Sequence, residues 1–317
     1  MSININEVDK VEILTLQDNY IDLVSRDNTE VVTRAMPLKG MEVKNSILAE
    51  HGFAAVVTVT SGDGVRSMLF DFGFSEHGAA FNADALGVDL STIEAMALSH
   101  GHLDHVGGLA ELTKKMNKEG IELVVHPEAF RGSRSMKIAE GISVKFPPFT
   151  REKAREAGVR LVESEKPYPL LDGDIFFLGG IPRVTDFETG TPNLFYEKDG
   201  EETWDDLSDD TAIVSNVKGR GLVVLSGCAH AGIINTVEYA KGIFGVQEVF
   251  VVMGGFHLSG AEMEPVVAAT VSSLKEINPT YVIPTHCTGR NAIMQIEKEM
   301  REQFLLNMAG TKMVFAA

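Results

Sequence analysis

Four side chains of the kinds that bind metal ions fall within six consecutive residues of this 317-residue chain. They are His100, His102, Asp104 and His105, and they follow the apolar stretch 95–98, which we predict to be a short buried strand. Residues two apart in an extended segment face the same side, so His100 and His102 can reach one ion. Asp104 and His105 come where the chain turns towards a helix, and they can reach a second ion. Packing alone would not explain the cluster, because buried imidazoles and carboxylates need partners.

Three further histidines each lie in a turn shortly after a predicted strand. The strands are 221–225, 248–253 and 281–284, and the histidines are His230, His257 and His286. If these strands share one direction in one sheet, their turns meet at one edge, where ligand sites collect. We therefore predict His230 and His286 as metal ligands, and His257 as a ligand, a substrate contact or a structural residue. Histidines without such companions are expected to be structural or superficial, namely His51, His77 and His126.

Predicted strands and helices alternate along most of the chain. A hairpin is predicted where a β-branched run ends at the turn Ser61–Gly64. In the second half, predicted helices follow predicted strands, at 231–241, 262–277 and 292–304. The alternation predicts a layered α/β fold, and the lack of internal repeats or linkers predicts a single domain over residues 1–317.

Residues 128–166 differ in composition from the rest of the chain. They hold nine Lys or Arg against six Asp or Glu, in a protein whose net charge is −17. One interpretation is a solvated surface insert with one helix near 150–157. The other is a lid that faces the substrate, in which case its positive charge would suit an anionic small molecule.

Several classes of protein are disfavoured by charge and composition. A net charge of −17 opposes binding to nucleic acid and to anionic membranes. No stretch approaches the roughly 20 apolar residues of a membrane span, and the N-terminus lacks a signal-peptide pattern. The cysteines are Cys228 and Cys287, too few for a disulfide framework. We expect a cytoplasmic protein whose partner is a small molecule.

The segment Ser99–Gly108 resembles the His-x-His-x-Asp-His signature of the metallo-β-lactamase superfamily. Asp71 is similar to the structural aspartate of that superfamily, and Pro284–His286 is similar to its last histidine motif. The resemblance implies a four-layer αββα sandwich of the α/β class, with a two-metal site at one edge of the β layers. Imidazole and carboxylate ligands suit divalent zinc, with manganese or iron as alternatives.

A second set of segments is similar to one branch of that superfamily. The segments are Asp18-Asn19, 49–52, 180–183 with Glu188, 226–233, 254–258 and 285–289. The branch is named after the dihydropterin–ribofuranosylaminobenzene phosphate synthase of methanopterin biosynthesis, and many of its members are labelled only as metal-dependent hydrolases.

The chain departs from the common superfamily pattern at the bridging ligand. Where an aspartate is usual in a Gly-Asp turn, this chain has Gly227 and Cys228. Cys228 could bind metal as a thiolate, since a nearby cation lowers the pKa of a thiol. It could also be a bystander, with His230 as the ligand. Asp209 and Asp210 are alternative carboxylates, for which we favour a solvated acidic turn.

The residues and the resemblance together predict a hydrolase in which a metal-bound hydroxide attacks a small anionic ester or phosphoester. Asp104 would bind metal and orient the nucleophile, with His257 as a second catalytic candidate. Arg183 and Asn193 are candidate substrate-binding residues, since a guanidinium grips phosphate or carboxylate at two points. Two alternatives stay open. One is a dihydropterin-type synthase, in which metals activate a diphosphate leaving group and an aminobenzene ring attacks. The other is a metal-binding sensor without turnover.

Overall fold

The computed structural model describes residues 2–43 and 45–317. In chain order the strands are β1 (Glu7–Val8), β2 (Lys10–Gln17), β3 (Val32–Thr33), β4 (Leu38–Lys39), β5 (Glu42–Val43), β6 (Ala54–Ser61), β7 (Gly64–Phe70), β8 (Ile93–Ala97), β9 (Glu122–Val125), β10 (Arg134–Ala139), β11 (Ile142–Lys145), β12 (Arg160–Glu163), β13 (Tyr168–Leu170), β14 (Ile175–Phe177), β15 (Leu194–Lys198), β16 (Glu201–Trp204), β17 (Ala212–Val217), β18 (Gly221–Ser226), β19 (Val249–Gly255), β20 (Tyr281–Thr285) and β21 (Lys312–Ala316).

The α-helices lie mostly in the connections between strands. They are α1 (Gly78–Leu86), α2 (Leu103–Val106), α3 (Leu109–Met116), α4 (Arg151–Glu156), α5 (Ile233–Phe244), α6 (Glu264–Ile277) and α7 (Arg290–Glu299). Short 3-10 helices occur at Leu90–Thr92, Pro127–Phe130, Leu171–Gly173 and His286–Thr288. Across the described ranges, none of the helices combines the length and the apolar character that crossing a bilayer requires.

Two mixed sheets form the centre of the molecule. The first has the strand order β12-β9-β8-β7-β6-β2-β21-β3. The second has the order β13-β14-β17-β18-β19-β20, and β1 pairs with β17 beside this path. Each sheet contains a parallel set, with β7, β8, β9 and β12 in the first and β18, β19 and β20 in the second. The loops after parallel strands gather at one edge of a sheet, which gives the fold a place for a site.

The main core lies between the two sheets. Along β2, Val11 and Ile13 point into this core, whereas Leu14 and Leu16 pack on the opposite face, as the alternation of a strand requires. Ile213 and Leu225 fill the same core from the second sheet. Strands β17 to β20 are buried on both faces, so they read as nearly continuous apolar runs.

Helices cover the outer face of each sheet. Helices α5, α6 and α7 pack on the second sheet through side chains that include Val237, Val271 and Ile296. Helices α1, α3 and α4 pack on the first sheet through side chains that include Ala80, Leu112 and Ala154. The layer order helix, sheet, sheet, helix confirms the predicted four-layer αββα sandwich.

The segment 128–166 divides between two parts of the fold. Strands β10 and β11 form a hairpin that joins β15 and β16 in a small antiparallel sheet. Strand β12 instead pairs in parallel with β9 at the edge of the first sheet. Several of the positive charges pair with carboxylates outside the segment, in the contacts Arg131–Asp205, Arg134–Asp209 and Arg160–Glu122. The excess charge of this segment is therefore largely neutralised by neighbouring carboxylates.

Candidate metal centre

The predicted ligands meet at one edge of the two sheets. His100 follows β8, His230 follows β18 and His286 directly follows β20. The ring of His100 lies 4.3 Å from that of His105 and 4.8 Å from that of His230, centroid to centroid. The ring of His105 lies 5.0 Å from that of His286. The residues that the sequence placed after separate strands therefore form one cluster of imidazoles.

Left-handed backbone conformations turn the chain into this cluster. Asp71, Ala229, His257 and His286 have φ values of 57°, 51°, 44° and 44°, and each lies just beyond the end of a strand. Residues other than glycine rarely adopt such φ values. Each residue held in this conformation costs roughly 1–3 kcal/mol of folding free energy. The surrounding fold holds these turns in place, which directs the side chains of the cluster to a common point.

Asp71 holds His105 in a fixed orientation. Its carboxylate lies 2.6 Å from Nδ1 of His105, and neither side chain is accessible to solvent. The backbone N–H and the hydroxyl of Ser99 also donate to this carboxylate, both at 2.7 Å. Burial alone lowers the pKa of His105, but the carboxylates of Asp71 and Asp104 outweigh it and raise the pKa to about 9. Because Nδ1 donates to Asp71, Nε2 of His105 is directed at the cluster.

Gly227 leaves the space in which the Asp71 contacts form. A Cβ at this position would lie 2.1 Å from Oγ of Ser99 and 2.6 Å from Oδ2 of Asp71. We expect Gly227→Ala to lower the free energy of unfolding by about 1–3 kcal/mol, measured by urea denaturation, because it overpacks a buried network. The control is Gly242→Ala in α5, where a Cβ meets open space and should stabilise by about 0.5–1 kcal/mol. Equal stability of Gly227→Ala and the wild type would contradict this account.

A first group of possible metal ligands consists of Asp104, His105, Cys228 and His286. One ligand atom from each lies within 4.8 Å of all the others. Oδ2 of Asp104 is 3.2 Å from Nε2 of His286, and Nε2 of His105 is 3.1 Å from Sγ of Cys228. Burial raises the pKa of Asp104, but His105 and His286 together hold it well below the usual value, so the carboxylate is ionised. This group offers two imidazoles, a carboxylate and a sulfur.

A second group consists of His100, Cys228 and His230, with ligand atoms again within 4.8 Å of one another. His102 lies beside it, with Nδ1 at 3.0 Å from Nε2 of His100 and its ring 5.0 Å from that of His230. Burial is the main cause that lowers the pKa of His100 and His230, and neighbouring imidazoles lower it further. Neutral imidazoles expose the lone pairs that a metal ion needs.

Buried nitrogen atoms without a partner support the assignment of a metal site. Within the described part of the chain, Nε2 of His102 and both ring nitrogens of His230 are buried and have no hydrogen-bond partner. Such atoms are rare in proteins and call for a bound ion or water. Imidazole, carboxylate and thiolate ligands together suit zinc and similar divalent ions. The residues of the cluster therefore fit metal ions.

Cys228 belongs to both groups, and Cys287 lies beside it and lines the same cavity. The two Sγ atoms are 3.1 Å apart, and both cysteines are buried and reduced. His257 completes a third group with these sulfurs, and its ring lies 4.0 Å from that of His230. The prediction that His257 is a ligand or a catalytic residue stays a prediction, but the structure places it within the cluster.

Asp209 and Asp210 accept hydrogen bonds from the turns that carry the cluster. Our expectation that they form a solvated acidic turn is wrong. Both are buried, because the strand β17 that follows them runs through the core. Asp209 pairs with the buried guanidinium of Arg134 and accepts a hydrogen bond from the backbone N–H of Gly101 at 2.9 Å. Asp210 accepts from the N–H of Ala231 at 2.9 Å, and burial raises its pKa to about 7. Asp209 and Asp210 thereby hold the two turns that carry His100 and His230.

His51 lies at the mouth of the cluster, and our expectation that it lacks companions is wrong. Its ring is 4.7 Å from that of His286, and its Nε2 is 3.4 Å from Oδ2 of Asp104. In the sequence, its place in the segment 49–52 was the available signal. The contact of His51 with Asp104 and His286 could not be predicted, because His51 lies far from those motifs along the chain. By contrast, His126 caps a 3-10 helix by accepting from the N–H of Glu128.

A cavity of about 640 Å³ opens onto the cluster. Apolar side chains form much of its wall, including Phe74, Leu103, Met136, Val144, Phe146 and Leu194. Asn193 and Lys145 also line it. Arg183 does not line this cavity. Its guanidinium donates to the backbone carbonyls of Asp206 and His230 at 2.6 and 3.2 Å and faces a separate open groove. A substrate-binding role for Arg183 therefore stays a prediction without support from its position.

The family follows from comparison with known proteins. The sequence profile described as the Metallo-beta-lactamase superfamily matches residues 51–230, more than half of the chain. The chain belongs to the metallo-beta-lactamase superfamily. Its fold and its His/Cys/Asp cluster are those of a metal-dependent enzyme of this superfamily.

Relatives agree with the branch that the sequence resembles. The chain is 29% identical over 313 residues to the 7,8-dihydropterin-6-methyl-4-(beta-D-ribofuranosyl)-aminobenzene-5'-phosphate synthase of Methanocaldococcus jannaschii, covering 98% of both chains. An uncharacterized protein of the same organism is 29% identical over 250 residues, covering 79% of this chain and 88% of its own. The solved structure of Tm1679, described as a metal-dependent hydrolase of the beta-lactamase superfamily, is 26% identical with a TM-score of 0.71, covering 97% of this chain and 100% of its own.

Proposed function

We propose that this superfamily member is a hydrolase that uses two divalent metal ions, zinc first among them, to cleave a small anionic ester or phosphoester. The observation that carries the proposal is the pair of ligand groups that share Cys228 at the floor of an apolar cavity. Enzymes of two-metal type place such a pair of ions where the bond is broken. A site that only stored or sensed metal would not need a substrate-sized cavity above it.

The chain's own residues divide between the two ions. His100, His102 and His230 would hold one ion, and Asp104, His105 and His286 would hold the other, with Cys228 within reach of both groups. Two ions there would polarise the scissile group and supply a nucleophile from water at neutral pH.

Residues that contact the ligands fix which ring nitrogen each imidazole directs towards the ions. Asp71 accepts the Nδ1 proton of His105, and Asn19 faces Nδ1 of His286 at 3.0 Å. Both imidazoles are thereby oriented with Nε2 towards the ions.

The cavity walls suggest the shape of the substrate. The apolar residues on the hairpin β10–β11, Met136 and Val144, would exclude water and bind a ring or an aliphatic body. Lys145 and Asn193 would contact its polar or anionic part. The amide of Asn193 donates to the carbonyl of Lys137 at 3.3 Å, which ties this residue to the hairpin.

The proposal is tested with protein stripped by a chelator and reloaded with zinc or manganese. On a panel of phosphomonoesters, phosphodiesters, carboxylic esters and lactones, we expect turnover that disappears with the metal and returns with it. His102→Ala should lose one ion by elemental analysis and at least about 1,000-fold in kcat/KM, because several kcal/mol of charge stabilisation come from the metals. The control is His77→Ala, since His77 is an exposed residue. Two bound ions without any turnover would refute the proposal and favour a sensor.

A second candidate is supported by the synthase relative, which matches 98% of both chains. In that function the ions would bind a diphosphate leaving group, and the apolar cavity would hold an aromatic amine as the nucleophile. We would supply dihydropterin-methyl diphosphate with ribofuranosylaminobenzene phosphate and measure pyrophosphate release. Release that requires the aminobenzene compound would establish the synthase, whereas protein inert to this pair but active on esters would be the hydrolase.

A further inference from the structure

We infer that His51 is a substrate-binding residue that donates a hydrogen bond from Nε2 to the substrate oxygen that gains negative charge in the reaction. We further infer that Asn19 is the positioning residue that places the proton of His51 on Nε2. The inference rests on the proposed function for the identity of that oxygen. The tautomer of His51 follows from contacts that do not depend on it.

Two backbone groups fix the orientation of the Asn19 amide. Its Nδ2 lies 3.0 Å from the carbonyl oxygen of His286, which can only accept a hydrogen bond. Its Oδ1 accepts from the backbone N–H of Gly52 at 3.3 Å. Exchanging the nitrogen and the oxygen would place two acceptors together on one side and two donors together on the other. The amide is therefore assigned by its partners.

This orientation determines the protonation of two imidazoles. Nδ2 of Asn19 lies 3.1 Å from Nδ1 of His51, so this Nδ1 must accept, and the proton of the neutral ring is on Nε2. Oδ1 of Asn19 lies 3.0 Å from Nδ1 of His286, so that Nδ1 must donate, and the lone pair is on Nε2. One amide thus makes His286 a metal ligand through Nε2 and makes His51 a donor through Nε2.

Asn19 is itself held by a buried carboxylate. Its backbone N–H donates to Oδ1 of Asp18 at 2.7 Å, and the same oxygen accepts from the N–H of His286 at 2.9 Å. Asn307 donates to the other oxygen of Asp18 at 2.6 Å. This network links Asn19, which contacts His51, to the turn that carries His286. The distance between the imidazoles of His51 and His286 is therefore set by the core of the protein.

The Nε2–H of His51 is available to a substrate. It lies 3.4 Å from Oδ2 of Asp104, which is longer than an N–H to O hydrogen bond of about 2.7–3.2 Å. Nε2 of His286 lies 3.2 Å from the same oxygen but carries a lone pair in this tautomer, so it does not donate to Asp104. The side chain of His51 is 60% exposed and lines the cavity. A substrate oxygen bound beside Asp104 would accept the Nε2 proton of His51 at a shorter distance than Asp104 does.

The first test reads the tautomer directly. We would label the histidines of the zinc-loaded full chain with ¹⁵N and record long-range ¹H–¹⁵N correlations, assigning His51 by the signals lost in His51→Gln. We expect the pattern of an Nε2–H tautomer for His51. An Nδ1–H pattern would overturn the inference, and neither result requires any turnover.

The second test measures the contribution of the donor. We expect His51→Phe to keep the zinc content of the wild type and to lose about 100-fold in kcat, as for other lost oxyanion donors. His51→Gln should recover part of this loss, because its amide nitrogen can donate from a similar place. His77→Phe is the control and should be unchanged. Unchanged kcat in His51→Phe would overturn the inference, and so would the loss of a zinc ion, which would make His51 a ligand.

A third measurement separates this inference from the proposed function. If the wild type hydrolyses nothing in the panel, the proposed function fails, and binding of inorganic phosphate to the zinc-loaded protein becomes the probe. We expect the Kd for phosphate to rise at least about tenfold in His51→Phe, since a hydrogen bond to a charged group is lost. An equal Kd in both proteins, or no phosphate binding by the wild type, would count against His51 as the donor.

Discussion

Replacing Cys228 with alanine is expected to lower kcat/KM by roughly 1,000-fold or more and to leave fewer than two metal ions per chain, because the metals supply several kcal/mol of charge stabilisation. Cys228 is the residue common to both ligand groups, and its Sγ lies 3.1 Å from Nε2 of His105. Without the sulfur, both ligand groups would lose a member, and the second would keep only imidazoles. Elemental analysis and steady-state kinetics on the same preparation measure both effects.

Two further variants separate a bridging thiolate from a packing role. Cys228→Asp should restore the second ion and part of the activity, because a carboxylate occupies this place in the common pattern of the superfamily. Cys287→Ala should keep both ions, since Cys287 joins neither of the first two ligand groups. Full activity and two ions in Cys228→Ala would show that Cys228 is a bystander.

Replacing Asp71 with alanine is expected to produce the largest loss of stability, about 3–5 kcal/mol in the free energy of unfolding. The carboxylate is wholly buried and accepts from His105 and from two groups of Ser99. Its removal leaves the buried Nδ1–H of His105 and the buried hydroxyl of Ser99 without their partner. Urea denaturation of the metal-free protein measures the loss without any contribution from bound ions.

Asp71→Asn and Asp63→Ala serve as controls for that variant. The amide keeps the shape of the side chain, so we expect a smaller loss of stability but metal affinity about 10- to 100-fold weaker, as for other lost outer partners of ligands. Asp63 is exposed in the hairpin turn after β6, so its removal should change stability by less than about 0.5 kcal/mol. If Asp71→Ala is as stable as Asp63→Ala, the account of Asp71 is wrong.

The layered core could be predicted from the sequence because its signals are local. The turn Ser61–Gly64 predicted the hairpin of β6 and β7, and the alternation of strands and helices predicted helices close to the observed α5 and α6. Strands buried on both faces, such as β18 and β19, appear in the sequence as uninterrupted apolar runs. In these segments the local pattern and the final burial agree.

Other parts of the fold depend on pairings that the sequence does not display. All four residues of β11 are exposed, so no alternation marked this strand. Strand β21 ends the chain but lies between β2 and β3, a pairing that only the folded protein reveals. The pairing of β10, β11, β15 and β16 in a small sheet also could not be predicted from the sequence. This sheet supplies part of the cavity wall.

The site shows the same division between local and distant signals. The motif His100–His105 and the turns at His230 and His286 could be predicted because each follows a strand. Asp209 was misjudged because its buried partner, Arg134, comes from the distant strand β10.

The most direct test of the central claim is anomalous diffraction from crystals of the zinc-reloaded protein. The claim is that a thiolate lies between two ions, in the place where the superfamily usually has an aspartate. We predict two anomalous peaks about 3.5–4 Å apart, each within about 2.3 Å of Sγ of Cys228. A single peak held by histidines alone, or two peaks with Sγ of Cys228 beyond bonding distance of both, would contradict it.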